Sequence, residues 1–280
     1  MSFWTDKHVL ITGASSGMGL ASAELAASAG AHVSLLARDA SRLEAARESV
    51  RARASHAEQR ITSLSCDVAD REQVERAVAE AISVSGSVDV LLTCAGFCEP
   101  RRFVETEVGD LVRHVEVDLL GTMYAARAVV PSMVERGLGS IGLVSSMGGL
   151  IGVYGYAGYS ASKFGVTGFA EVLRGELKPH GVGVTLACPP NMDTPGYARE
   201  IETEPRETAA INGMAKTIPA SVAAAEFLRA IERGKFLVIH GASNRILYRA
   251  EGLWPELFRR VFDAKVASAR LEGGRADVLD

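Results

Sequence analysis

Val9-Leu10-Ile11-Thr12-Gly13-Ala14-Ser15-Ser16-Gly17-Met18-Gly19 decides the fold. The apolar run, within Lys7 to Thr12, suits a strand buried on both faces of a parallel sheet. A helix rich in alanine follows, Leu20 to Ala29, and stops at Gly30, a residue that favours helix ends. Strand, glycine-rich turn and helix together make a phosphate-binding arrangement. Gly13, Gly17 and Gly19 let the backbone approach a pyrophosphate, and the helix start supplies N–H donors and a positive dipole end. Ser15, Ser16 and Met18 belong to the same turn. The spacing is G-x-x-x-G-x-G rather than G-x-G-x-x-G, so a plain strand-to-helix turn is the competing reading.

The second strand, His32 to Ala37, ends Leu35-Leu36-Ala37-Arg38-Asp39. An acid at this strand end would accept from the ribose 2′-OH of NAD, and an arginine would take the 2′-phosphate of NADP. The acid is absent at Ala37 and Arg38 follows, so NADPH is favoured over NADH, with a Ser15 or Ser16 hydroxyl as a further donor to that phosphate. Alternatively, Arg38 is a solvated residue at a helix start and Asp39 an N-cap.

Outward from there, strands and helices alternate. A charged surface helix spans Asp39 to His56. The third strand, Ile61 to Cys66, runs into Asp67-Val68, whose acid and backbone N–H are placed to meet an adenine. Asp70 to Ser83 is helical. Val88 to Thr93 is the fourth strand, followed by Cys94-Ala95-Gly96, where Gly96 leaves room for a cofactor. Glu107 to Arg136 is mostly helical. Ile141 to Ser146 and Val182 to Ala187 are strands five and six, Ser221 to Arg233 is a helix, and Phe236 to His240 is the last strand. The pattern predicts an α/β fold: a Rossmann-like, doubly wound domain over residues 1–280, with a seven-stranded, mostly parallel sheet flanked by helices. Residues 190–219, charged and broken by Pro195, Pro205 and Pro219, read as a substrate lid. Beyond 243 comes a helical extension. There Ile246, Ala250, Leu253, Leu257 and Val261 recur at helical spacing, Trp254, Phe258 and Phe262 widen the stripe, and Arg245, Arg249, Arg259 and Arg260 lie elsewhere. Such a helix lies on a membrane surface, or packs against its own domain or a partner subunit.

A formal charge of -4 and a pI near 5.9 argue against a nucleic-acid partner. Cys66, Cys94, Cys98 and Cys188 make no metal-binding pattern, so no metal is expected and the thiols read as reduced, mostly buried groups of a cytoplasmic protein. The first seven residues carry no apolar signal core, and no apolar run is long enough to span a membrane.

The chemistry is carried by Tyr159-Ser160-Ala161-Ser162-Lys163. Tyr159 and Lys163, four residues apart, share one helix face. A phenol titrates near ~10, and an ammonium beside it favours the phenolate and lowers that value. A tuned tyrosine can then protonate a carbonyl oxygen or deprotonate an alcohol. Ser146, at a strand end, converges on the same oxygen through a glycine-rich link.

Taken in order, Thr12-Gly13, Gly17, Gly19, Ala95-Gly96, Ser146 and Tyr159 with Lys163 resemble the short-chain dehydrogenase/reductase family over about residues 6 to 240. Within it, Pro189-Pro190-Asn191-Met192-Asp193-Thr194-Pro195-Gly196-Tyr197 and Gly121-Thr122-Met123-Tyr124 are most similar to the 3-ketodihydrosphingosine (3-dehydrosphinganine) reductases. The resemblance implies that Tyr159 is the acid, that Lys163 tunes it and holds the nicotinamide ribose, and that Ser146 stabilises the developing oxyanion. It adds Cys94, Ala95, Pro189, Met192 and Thr194 to the cofactor residues, Thr194 at the carboxamide. It implies a hydrophobic ketone as substrate, with a long-chain 3-ketosphinganine-like base leading and a 3-oxoacyl thioester or a steroid as alternatives, and a homodimer or homotetramer. Where the family usually has an asparagine that completes a proton relay to the lysine, this chain has Asp118. An ionised Asp118 would compete with Tyr159 for the Lys163 charge, and it is the one feature that favours an NADP-binding scaffold with little turnover over a reductase. Its other reading is a satisfied polar residue at a helix bend.

Overall fold

The computed structural model describes residues 2–272; the end of the predicted C-terminal extension lies outside the described residues. The strands are β1 His8–Thr12, β2 His32–Ala37, β3 Ile61–Ser65, β4 Val90–Thr93, β5 Gly139–Val144, β6 Val182–Cys188, β7 Met192–Asp193, β8 Ile218–Pro219 and β9 Leu237–Ile239. Seven of them form one sheet in the order β3-β2-β1-β4-β5-β6-β9. Every neighbouring pair in it is parallel, not merely most. The helices are α1 Gly17–Ser28, α2 Ala40–Arg51, α3 Arg71–Ser85, α4 Val108–His114, α5 Gly121–Arg136, α6 Ala157–Leu177, α7 Pro195–Thr203, α8 Arg206–Asn212, α9 Ala220–Glu232, α10 Ala242–Leu253 and α11 Pro255–Glu272.

Strand side chains alternate between the two faces, and both faces are covered. Leu10, Leu36, Leu91, Leu143 and Leu186 pack on one side with Val74 of α3, Val129 of α5 and Val166 of α6. Val9, Ile11, Leu35 and Leu92 pack on the other with Ala23 of α1, Leu43 of α2 and Phe227 of α9. Each such Leu or Val contributes about 1.5–3 kcal/mol by leaving water. This double burial is why the strands read as continuous apolar runs.

Three regions depart from the sequence reading. The predicted helix Glu107 to Arg136 is α4 and α5 joined by a π-helical stretch, Val115–Leu120, and Asp118 sits fully buried within it. The predicted lid loop is mostly helical: Thr194 accepts the Tyr197 N–H and starts α7, α8 follows, and β7 and β8 pair at its base. A side-chain cap and a proline at the first helical position favour α7; α8 has no side-chain cap, and Pro205 stands just before it. The extension is two helices, broken at Trp254-Pro255 because proline interrupts helical bonding. Its stripe of Ile246, Leu253, Trp254, Leu257 and Val261 faces outward and is exposed. The far end of α11 packs on α8, where Ala269 is buried.

Among the described residues, no helix is long and apolar enough to cross a membrane.

Candidate active site

The carboxyl ends of the strands meet at one edge of the sheet. Ala14 N–H donates to Leu36 O at 3.1 Å, Cys94 N–H to Thr12 O at 3.1 Å, Ser145 N–H to Ala187 O at 2.8 Å and Met147 N–H to Pro189 O at 3.0 Å. A cleft of about 510 Å³ opens there. Its walls include Arg38, Cys94, Gly96, Ser146, Tyr159 and Lys163, with Pro189, Met192 and Thr194 across from them. Gly13, Ser15, Ser16, Gly17, Met18, Gly19, Asp67, Val68 and Ala95 lie outside that lining. They form the turn and strand ends beyond it.

Gly13 carries a positive φ of 68°, and a side chain there would come within 2.5 Å of the Ala95 backbone. The turn is thereby pressed onto the end of β4. Ser16 is the N-cap of α1 but makes no side-chain capping bond, and the first turn holds no acid. That leaves helix-start N–H groups for an anion. Met18 is buried in the core, so only its backbone is available to such an anion. Arg38 is exposed at the end of β2 and makes no side-chain hydrogen bond or ion pair among the described residues, while Asp39 caps α2 through the Arg42 N–H. Both sequence readings of this pair therefore apply, Asp39 as cap and Arg38 as a guanidinium on the cleft wall. Asp67 accepts from the Ala69 N–H at 3.1 Å, and its own N–H is taken by Gln73. Val68 is buried. These residues fit a dinucleotide: an uncapped helix start, a close-lying glycine turn and a spare cation at the second strand.

Ser145 and Ser146 divide two tasks at the end of β5. Ser145 Oγ donates to the Lys163 carbonyl at 2.9 Å and fixes α6 to the strand. Ser146 Oγ accepts the Gly148 N–H at 3.0 Å and hydrogen-bonds Tyr159. Lys163, one turn on, donates from Nζ to Val144 O at 3.2 Å and stands 5.7 Å from the centre of the Tyr159 ring. It is buried.

Here the electrostatics differ from the sequence expectation. Burial pushes the Tyr159 phenol well above its ordinary value, Cys98 and Glu200 push the same way, and only the Ser146 bond opposes them. The Lys163 charge is engaged elsewhere: Asp118 Oδ1 is 3.8 Å from Nζ. Asp118 accepts the Phe97 N–H at 3.1 Å and the Ser162 hydroxyl at 3.4 Å. Burial raises its carboxyl pKa despite Lys163 and His114. Gly96, on the cleft wall, also makes room for a protein pair. A side chain there would come within 2.6 Å of Asp118 Oδ1 and 3.1 Å of Lys163 Nζ, so the space it saves belongs to that ion pair.

Thr194 Oγ1 is occupied as the cap of α7, accepting the Tyr197 N–H at 3.1 Å. The four cysteines are free; Cys66 and Cys188 are buried, Cys94 and Cys98 half-buried. Among the described residues, no cluster of histidine, cysteine and acidic side chains could hold a metal.

Sequence reasoning missed four side chains. His114 is buried, stacks on Phe97 at 4.3 Å and lies edge-on to Tyr159 at 6.4 Å. Tyr156 packs edge-on against Tyr159 at 5.5 Å. Its hydroxyl donates to Glu200 on α7 and accepts from Asn212 on α8. Cys98 also hydrogen-bonds Glu200, and burial pushes the Glu200 carboxyl up to about 7. Tyr156, three residues before Tyr159, carried a helical-spacing signal; Glu200 is indistinguishable in sequence from Glu202 and Glu204. Behind the lid, Glu207 of α8 is held between Arg102 at 3.3 Å and Arg270 of α11 at 3.2 Å.

A family model described as short chain dehydrogenase matches residues 7–205. The chain is 43% identical over 206 residues to the 3-dehydrosphinganine reductase of Danio rerio, 73% of this chain but 62% of that protein. It is 37% identical over 241 residues to the 3-ketodihydrosphingosine reductase of Bos taurus, 86% of this chain and 73% of that protein. Among solved structures it is similar to levodione reductase, with a TM-score of 0.78 and 25% identity, over 86% of this chain and 98% of the other. A short chain dehydrogenase/reductase from Burkholderia phymatum in complex with NAD superposes with a TM-score of 0.81 at 25% identity, over 92% of this chain and 96% of the other.

Proposed function

Because the chain belongs to the short-chain dehydrogenase family, we propose that it is an NADPH-dependent carbonyl reductase whose substrate is a long-chain ketone of the 3-ketosphinganine kind. The observation that carries the chemistry is the Ser146–Tyr159 pair facing the cleft, with the phenol held in its protonated form. The names of the two relatives support the substrate.

When bound, the nicotinamide supplies the hydride. Tyr159 gives its proton to the carbonyl oxygen as the hydride reaches the carbon, and Ser146 donates to the same oxygen as charge develops on it. A phenol kept above its ordinary pKa is the acid form that reduction requires. Lys163, balanced by Asp118, holds the ribose and returns little charge to Tyr159. The backbone of Gly13 to Gly19, with Ser15 and Ser16, takes the pyrophosphate. Arg38 takes the 2′-phosphate; Asp67 and Val68 border the adenine; Cys94 and Ala95 line the path between; and Pro189, Met192 and Thr194 flank the nicotinamide. The chain works as one catalytic unit, with α7 and α8 as the lid over the substrate. The exposed stripe on α10 and α11 provides contact with a membrane surface or a partner subunit, and the enzyme works in the cytoplasm as a homodimer or homotetramer.

Absorbance of NADPH and of NADH, followed separately with 3-ketodihydrosphingosine in detergent, a short 3-oxoacyl thioester and a steroid ketone, tests the assignment. NADPH oxidation with the sphingoid ketone is expected. Turnover of another ketone alone would keep the chemistry and discard the substrate. No turnover with NADPH bound would make the protein a nucleotide-binding scaffold.

A further inference from the structure

The lid lines the cleft with two acids: Glu202 and its neighbour Arg199 are exposed, while Glu200 is half-buried and pairs with no cation among the described residues. Glu200 lines the same walls as Ser146 and Tyr159. Its carboxylate is held by the Tyr156 hydroxyl, which Asn212 supports from behind at 2.9 Å, and by the Cys98 thiol. All its hydrogen-bond partners are neutral, and none of the ion pairs among the described residues includes it. Arg113, on the same cleft, lies over the Phe97 ring at 5.0 Å, and the Lys163 ammonium is 3.8 Å from Asp118. An anion taken out of water beside neutral groups alone is costly. The Glu200 carboxyl therefore stands near the reacting tyrosine poised between its acid and carboxylate forms, and a bound cation would favour the carboxylate.

On the reading of this protein as a long-chain ketone reductase, we infer that Glu200 is the counter-ion for a substrate ammonium: the cleft selects ketones that carry a protonated amine on the carbon beside the carbonyl. Seating a ketone on Ser146 and Tyr159 brings its neighbouring carbon to the wall formed by Tyr156 and Glu200. The ammonium replaces the missing cation and makes a charge-assisted hydrogen bond. It also cancels the Glu200 charge that pushes Tyr159 up, so the correct substrate makes Tyr159 a stronger acid.

The test uses the full chain with NADPH and two ketones of equal chain length, a 2-amino-3-keto-1-alcohol and its counterpart lacking the amine. Wild type is expected to prefer the amino ketone. In Glu200→Gln, kcat/KM for the amino ketone should fall about 10- to 100-fold more than for the neutral ketone, mainly through KM. Glu200→Asp, which keeps the charge, should retain most of the preference. NADPH fluorescence titration reports that each variant is folded. Equal losses on both ketones, or a wild type that reduces only the neutral ketone, overturn the role of Glu200 and leave the reductase standing. A wild type that binds NADPH and reduces neither ketone overturns the reductase reading, and this inference with it.

Discussion

Asp118 Oδ1 lies 3.8 Å from Lys163 Nζ, and both side chains are buried. The lysine of the Tyr159 helix face thus has a carboxylate as its nearest charged neighbour. The main-chain Phe97 N–H and the Ser162 hydroxyl complete the carboxylate's shell. Its position comes from the π-helical stretch Val115–Leu120, which sets Asp118 against α6.

Asp118→Asn should become more favourable to stability as pH rises. Burial raises the Asp118 pKa, so the folded state holds a proton that the unfolded chain releases. Wild-type stability therefore falls as pH climbs from the unfolded carboxyl value through the raised folded one. Asparagine keeps an acceptor for the Phe97 N–H and does not titrate. The difference in Tm, variant minus wild type, should grow between pH 4 and pH 7 by differential scanning calorimetry. A difference that stays flat or shrinks would contradict the burial argument.

Tyr159→Phe removes the acid and leaves the cleft walls in place. Reduction should fall by about 10²–10⁴ in kcat, with NADPH affinity by fluorescence titration nearly unchanged. A variant that keeps most of its rate would mean that the proton comes from another group.

Arg38→Ala takes a guanidinium with no partner among the described residues off the cleft wall. NADPH should bind about 10- to 100-fold more weakly, the range of hydrogen bonds to charged groups, while NADH changes little. Equal losses for the two cofactors in parallel titrations would sink the 2′-phosphate assignment.

Glu207→Gln should loosen α11 from α8. The carboxyl is buried, and although burial pushes its pKa up, its own backbone N–H with Arg270 and Arg102 holds it below the ordinary value. The Arg102 and Arg270 side chains are 26% and 62% exposed, so the loss is kept to about 1–3 kcal/mol. Hydrogen exchange should quicken in α8 and α11 and stay slow in β1, β4 and β5. Unchanged protection of α11 would show that apolar packing around Ala269 holds it instead.

The parallel sheet was legible because double burial writes each strand as an apolar run, and Gly13, Ser146, Tyr159 and Lys163 were legible because their spacing is local. What was not legible depends on partners distant in sequence. The Tyr159 pKa follows from burial by segments forty residues away, Glu200 among them, so the pair of Tyr159 and Lys163 alone predicted the wrong sign. Gly96 was read only as room for a cofactor; that Asp118 and Lys163 also need the space beside it follows from the fold alone. The helices in 195–212 were hidden because two of the prolines that suggested a loop instead sit at helix starts, Pro195 as the first residue of α7 and Pro205 before α8.

The order β3-β2-β1-β4-β5-β6-β9, with no antiparallel pair in the main sheet, bears on how the molecule forms. No two of these strands can join through a tight hairpin, so each ladder waits for a crossover to close. Such long-range pairing is slow, and a chain of this length passes through partly ordered intermediates. During synthesis the glycine turn after β1 emerges early, yet the neighbours that press on it come from β4. Tyr159 and Glu200 follow later still. Catalytic competence therefore arrives late, after the chain beyond Glu200 has been made.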